Sequence, residues 1–89
     1  MGIIAVKIKI MPTSVDTNLK KIEEKAKEIV MSLGGKNPSF TQEPIAFGLK
    51  AIIALFAWPE DKELEKLETV LGKIKDVNSI HVVDMRRAF

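Results

Sequence analysis

The stretch GLKAIIALFAWP, residues 48–59, is the most apolar part of the chain and decides its fold. It contains two isoleucines, a phenylalanine and a tryptophan, which favour strands, and it is bounded by a glycine and a proline, which strands avoid in their interior. A nearly continuous apolar run of this kind is typical of a central strand that is covered by neighbouring elements. We therefore expect a sheet built around this segment.

The two faces of this strand are both apolar, so its orientation is not fixed by its own residues. One alternate set is Leu49, Ala51, Ile53 and Leu55, and the other is Lys50, Ile52, Ala54, Phe56 and Trp58. If the first set forms the core, then Ile52, Phe56 and Trp58 lie on an open sheet face beside Lys7 and Lys9, as a partner surface with a basic fringe. The alternatives are the opposite orientation, or aromatic side chains packed under a loop or a terminus.

The segments before this strand predict a strand, a helix and an edge strand. IIAVKIKIM (3–11) alternates apolar residues with lysines and ends at Pro12. Residues 19–33 carry apolar side chains at helical spacing, with Ser14 or Asp16 as the cap and Gly34-Gly35 as the stop. NPSFTQEPIAF (37–47) has a weaker strand pattern, and Pro44 indicates an edge strand or its end.

The segments after it predict a second helix and a last strand. EDKELEKLETVLGKIKD (60–76) places leucines and Ile74 at helical spacing, with Asp61 as its cap. VNSIHVVDMRRAF (77–89) closes the chain as a strand of mixed parity. The order β-α-β-β-α-β, with right-handed crossovers, places both helices on one face of the sheet. We expect an α+β fold, a ferredoxin-like sandwich with a four-stranded antiparallel sheet, in one domain spanning 1–89.

The composition argues against catalysis and cofactors. The chain has no cysteine and a single histidine, His81, so thiol chemistry and thiolate metal sites are excluded. Strand alternation predicts that His81 and Asp84 point to opposite faces, which makes a catalytic pair improbable. No phosphate-binding loop is present. We expect a protein that is not an enzyme, has no cofactor or metal, and binds no nucleotide directly.

Charge and hydropathy indicate a cytoplasmic protein away from the membrane. The net charge of +2 gives weak electrostatic steering, and lysines interrupt the apolar start of the chain, which has no signal-peptide cleavage site. Two arginines near the end, Arg86 and Arg87, can engage a phosphate or a carboxylate with their planar guanidinium groups, or they are simply a charged strand end.

The chain resembles archaeal translation elongation factor 1-beta, the guanine nucleotide exchange factor of elongation factor 1-alpha. The resemblance covers the full chain and rests on the first strand ending in "MP" (11–12), on "EPIAFGLK" (43–50), on the apolar strand that follows, and on the closing "VVDMRR" (82–87). It implies a domain that binds the GTPase elongation factor 1-alpha and promotes exchange of GDP for GTP. We expect this domain to act as a monomer, with pairing through a sheet edge as the alternative.

The resemblance also implies which residues contact the GTPase. An aromatic-glycine-aliphatic-lysine segment in eukaryotic relatives matches Phe47, Gly48, Leu49 and Lys50, and its aromatic residue is functional there. The expected partner-binding residues are Pro44, Phe47, Gly48, Lys50, Arg86 and Arg87. Eukaryotic relatives carry a near-terminal lysine that reaches toward the magnesium site of the GTPase, whereas this chain ends in "MRRAF" with only Arg86 or Arg87 as a substitute.

Two other functions are compatible with the predicted fold. The first is an RNA-binding module that uses the open sheet face with Lys7 and Lys9, although the first strand has no stacking aromatic residue. The second is a small-molecule regulatory domain, which would need a ligand pocket between subunits. The GTPase partner is the interpretation that the resemblance favours.

Overall fold

The computed structural model describes residues 2–87 and has six elements in the predicted β-α-β-β-α-β order. They are β1 (Ile3–Pro12), α1 (Leu19–Ser32), β2 (Lys36–Pro44), β3 (Lys50–Pro59), α2 (Glu65–Gly72) and β4 (Val77–Arg87). All strand pairings are antiparallel, and the order across the sheet is β2-β3-β1-β4. The predicted ferredoxin-like α+β fold is confirmed, with β3 central and β2 at an edge. The last two residues of the predicted final strand lie outside the described residues.

The core lies between the sheet and the two helices, and it fixes the orientation of β3. Val6 of β1 is opposite Phe56, and Ile8 is opposite Ala54. Since directly opposed side chains share a face, the Ile52, Phe56 and Trp58 set points at the helices with the buried side of β1. The open-face assignment of these residues is therefore wrong. The buried cluster comprises Val6, Ile8, Ile10, Ile22, Ala26, Val30, Ile52, Ala54, Phe56, Trp58, Leu67 and Leu71.

The aromatic pair inside this core is well satisfied. Phe56 and Trp58 meet edge to face with their ring centroids 6.0 Å apart, a favoured geometry for aromatic rings. The indole Nε1–H of Trp58 donates to the backbone oxygen of Lys62 at 3.1 Å, so burying the ring leaves no indole donor unpaired.

The helix caps differ from those predicted. Asn18 caps α1, because its Oδ1 accepts from the backbone N–H of Lys21 at 3.3 Å, while Ser14 belongs to a turn closed by the N–H of Thr17. Helix α2 starts at Glu65 without a side-chain cap. Asp61 lies instead in a turn in which the N–H of Lys62 donates to the oxygen of Pro59. The predicted stop of α1 is confirmed, since Gly34 has a φ of +111° and Gly35 N–H donates to Val30 O at 2.8 Å.

An irregularity in β4 accounts for its mixed parity. Lys7 of β1 is opposite Asp84, and the next residue, Ile8, is opposite Val82, so Val83 is an extra residue in β4. Such a β-bulge shifts the alternation of all following residues by one position. Lys9 is opposite His81, and therefore His81 and Asp84 share the open face of the sheet. The predicted placement of these two residues on opposite faces is wrong.

Neither α1 nor α2, the helices within residues 2–87, is long and apolar enough to cross a membrane.

Candidate partner-binding site

The turn between β2 and β3 presents an aromatic side chain that nothing in the described chain covers. The N–H of Leu49 donates to the oxygen of Ala46 at 2.9 Å, and the N–H of Ile45 donates to the oxygen of Leu49 at 2.8 Å. The two central residues, Phe47 and Gly48, have φ values of +54° and +81°. Positive φ at both central positions is the signature of a type I′ hairpin turn. Phe47 is 100% exposed at its apex.

Phenylalanine at position 47 is unfavourable for the free protein for two reasons, its backbone conformation and its exposure. A type I′ turn favours asparagine, aspartate or glycine at its first central position, because other residues meet steric strain at positive φ. A bulky residue in the left-handed region costs about 1–2 kcal/mol. A fully exposed phenyl ring also gains nothing from burial within this chain. Strain of this kind persists where function requires it, so Phe47 is the strongest candidate for a contact with a partner.

Two further apolar side chains lie at the same end of the molecule. Ile45 precedes the turn and is 39% exposed, and Val15, in the loop between β1 and α1, is 57% exposed. A Cβ atom at Gly48 would come within 3.8 Å of Val15 Cγ1, so this loop lies against the hairpin. We call Val15, Ile45 and Phe47 the apolar tip.

Other predicted site residues surround the apolar tip. Pro44 and Lys50 are paired at the base of the hairpin and both are exposed. Lys50 and Gly48 also line a shallow recess of about 260 Å³ beside the turn. Val15 and Ile45 were not among the predicted site residues. Val15 carried a signal in the sequence, as a lone apolar residue among the polar residues 13–18.

The two arginines lie at the opposite end of the sheet. Arg87 is opposite Ile4, which is in turn opposite Trp58 near the end of β3. Trp58 is eight residues along the strand from Lys50, which corresponds to about 26 Å. The structure therefore brings Pro44, Phe47, Gly48 and Lys50 together and leaves Arg86 and Arg87 at a separate position.

Both arginines are paired with carboxylates on the surface. Arg86 Nε lies 2.9 Å from Asp84 Oδ2, and Arg87 pairs with Glu60. The arginine side chains are 80% and 68% exposed. Exposed pairs of this kind contribute about 0–1 kcal/mol, so either guanidinium group exchanges its carboxylate for a partner group at low cost.

The open face of the sheet does not have the features of an RNA platform. Lys7 and Lys9 point outward as predicted, beside Ile53 and Leu55, but Lys9 Nζ lies 4.0 Å from Glu43 Oε2. Within residues 2–87 no phenylalanine or tryptophan lies on this face, because Phe40, Phe56 and Trp58 pack in or against the core. Base stacking, the main source of single-strand RNA affinity on such sheets, would have the single imidazole of His81.

Side chains that bind metal ions do not cluster in the described part of the chain. No group of three or more histidine, aspartate and glutamate side chains is arranged there to hold a metal ion. Although the bulge brings His81 and Asp84 to one face, Asp84 is engaged by Arg86.

Comparisons with known proteins give sequence matches over nearly the whole chain. The family described as "EF-1 guanine nucleotide exchange domain" matches residues 5–88. Elongation factor 1-beta of Methanosarcina barkeri is 42% identical, over 98% of this chain and 99% of its own length. The proteins of the same name from Archaeoglobus fulgidus and Methanocaldococcus jannaschii are 38% and 36% identical, over 96% and 99% of this chain and 97% and 100% of their own lengths.

A solved structure gives independent support for the fold alone. The structure named BlrP1 BLUF superposes with a TM-score of 0.61 at 13% identity, over 99% of this chain, which spans 56% of that chain's length. Function follows instead from the full-length sequence matches. On that evidence this chain belongs to the family of EF-1 guanine nucleotide exchange domains.

Proposed function

We propose that this chain carries out its family's activity, exchange of GDP for GTP on elongation factor 1-alpha, by docking the apolar tip on that GTPase. The observation that carries the proposal is Phe47, a fully exposed aromatic residue held at positive φ. Burying a phenyl ring in a partner contributes about 1.5–3 kcal/mol. This gain is available only in the complex, so it favours docking over the free state.

Exchange of this kind needs differential binding and no covalent step. A factor that binds the nucleotide-free GTPase better than the nucleotide-bound form weakens nucleotide binding by the same factor. A thousandfold weakening corresponds to about 4 kcal/mol of difference in partner affinity. The five-residue connection 45–49 is held by two backbone hydrogen bonds around its turn, so it is a short support for such a contact. The proposal therefore describes a binding protein and not an enzyme.

The two ends of the sheet serve two separate contacts in this proposal. The Arg86–Arg87 pair lies about 26 Å from the base of the hairpin that carries the apolar tip. This is too far for one small pocket, and a GTPase that meets both spans the long dimension of the domain. At the second end an arginine fork engages phosphate or carboxylate oxygens near the nucleotide. The proposal takes the factor to act as a monomer, as one domain, in the cytoplasm.

Stopped-flow release of a fluorescent GDP from elongation factor 1-alpha tests the proposal. Replacing Phe47→Ala removes the ring and leaves the backbone strain in place, and we expect GDP release to slow by about 10- to 100-fold, the loss of a 1.5–3 kcal/mol contact. Met31→Ala is the matched control, because Met31 is an exposed apolar residue, at 54%, on the far half of α1. Wild-type release by a folded Phe47→Ala protein is the result that rejects the tip as the docking site.

A further inference from the structure

Besides the apolar tip, the domain has a second accessible apolar surface. It is a groove on the helix layer, away from the open face of the sheet. It runs along α1 as far as Ile29, opposite Val70 of α2 and residues 73–76 that follow α2, with a volume of about 460 Å³. Its floor is aliphatic and consists of Ile22, Ile29, Val70 and Ile74. The two helices do not close over this floor, so apolar surface remains accessible along the groove.

The rim of the groove is basic. Four lysines line it, namely Lys21, Lys25, Lys73 and Lys75, with Asp76 as the single lining carboxylate. Within residues 2–87 no carboxylate lies within 4.0 Å of these four ammonium groups. This local excess contrasts with the near balance of charge over the whole chain, which has 14 basic and 12 acidic side chains. The groove is therefore complementary to a ligand that is both acidic and apolar.

The dimensions and chemistry of the groove select one class of occupant. From Asn18 to Ile29 the groove follows α1 for eleven residues, or about 16 Å, the length of three turns of a helix. A nucleic acid would meet the lysines but gain little from an aliphatic floor, since bases bind proteins by stacking on aromatic and guanidinium planes. A membrane surface requires protruding apolar side chains, whereas these lie recessed between two helices.

We propose that this groove binds an acidic amphipathic helix of a second protein, with apolar residues at i, i+4 and i+7 on the floor and carboxylates against the lysine rim. The groove shares no residue with the apolar tip. Both surfaces are therefore available at once, and the domain holds an acidic partner on its helix layer while the tip contacts the GTPase.

The test is the fluorescence anisotropy of a labelled synthetic helix of three to four turns, with leucines at i, i+4 and i+7 and glutamates elsewhere, titrated with the full chain. The double variant Lys21→Glu with Lys25→Glu, called the rim pair, reverses the charge of two of the four rim lysines. Its matched control is Lys20→Glu with Lys27→Glu, on the same helix and with the same change of charge, at positions that do not line the groove. We expect the rim pair to weaken peptide binding by about tenfold or more and the control pair by less than about threefold, because rim attraction becomes repulsion only in the first.

Several results overturn the proposal. They are equal weakening by both pairs, equal binding of a scrambled peptide of the same composition, or tighter rim-dependent binding of anionic vesicles or of a single-stranded oligonucleotide. If the rim pair fails to fold by circular dichroism, Lys73→Ala with Lys75→Ala removes two rim charges from the segment after α2, and we expect it to weaken peptide binding as well. GDP release is measured in parallel, and we expect it to be unchanged by the rim pair, so a failure of the Phe47 proposal and a failure of the groove proposal give different results.

Discussion

Replacing Phe47 with asparagine should make the protein more stable and a poorer exchange factor at the same time. The turn holds residue 47 at a φ of +54° and residue 48 at +81°. Asn-Gly is the preferred pair for this backbone, because asparagine tolerates the left-handed region that phenylalanine does not. The substitution therefore relieves strain in the free protein and removes the aromatic ring from the tip.

The size of the gain follows from the exposure and backbone of residue 47. Phe47 is 100% exposed, so its removal forfeits no burial within the folded chain. The relieved strain is about 1 kcal/mol. For a domain of this size, a gain of about 1 kcal/mol raises Tm by about 4–8 °C. Phe47→Ala, which keeps a Cβ atom at the strained position, should leave Tm nearly unchanged.

Two measurements on the same samples separate the effects of residue 47. Thermal unfolding by circular dichroism reports the backbone strain, and GDP release reports the contact of the ring with the partner. We expect asparagine and alanine to slow GDP release equally, since both remove the ring, while only asparagine raises Tm. A lower Tm for Phe47→Asn would refute the strain reasoning. A higher Tm combined with wild-type GDP release would refute the assignment of the ring to the partner contact.

Three other predictions concern a glycine after α1, a lysine that bonds to the end of α1, and the two arginines of β4. Gly35→Ala should destabilise the fold in urea unfolding by about 1–3 kcal/mol, because the added Cβ would lie 2.4 Å from Val30 Cγ1. The control is Gly72→Ala, whose Cβ would lie at an ordinary 3.7 Å from Ile80, and it should be neutral or stabilising. Lys62→Met should cost about 0.5–1.5 kcal/mol in the same assay, since it removes the bond from Nζ to the oxygen of Leu33 at 2.9 Å; a cost of zero would show that this bond does not support the end of α1. Arg86→Ala with Arg87→Ala should slow GDP release without lowering Tm by more than a few degrees, because both ion pairs are exposed; unchanged release would remove the second contact from the mechanism.

The helices and strands that follow from hydrophobic periodicity were predictable from the sequence. The features that depend on the pairing register between strands were not. Strand β1 alternates isoleucine with lysine, so its faces are evident from the sequence. In β3 both Ile53 and Ile52 are apolar, and only the pairing of Val6 with Phe56 shows which set is buried. A pairing register depends on contacts between distant segments, and no local pattern in this strand encodes it.

The hairpin that carries the candidate site was predictable where proline and glycine mark the backbone. Pro44 ends β2, and Gly48 supplies one of the two positive φ values of the turn. The positive φ of Phe47 was not predictable, because it contradicts the preference of that residue. The bulge at Val83 was equally hidden, since no glycine marks it, and it changed the predicted relation between His81 and Asp84.

The single tryptophan is placed so that its intrinsic fluorescence reports on the folding of the core. Trp58 is 2% exposed, and it lies at the end of β3 that is about 26 Å from the hairpin base. A ligand confined to the tip therefore covers no indole surface. The fluorescence of Trp58 should stay constant while the tip is occupied and change only when the core opens, so one sample reports its own integrity during a binding experiment without any added label.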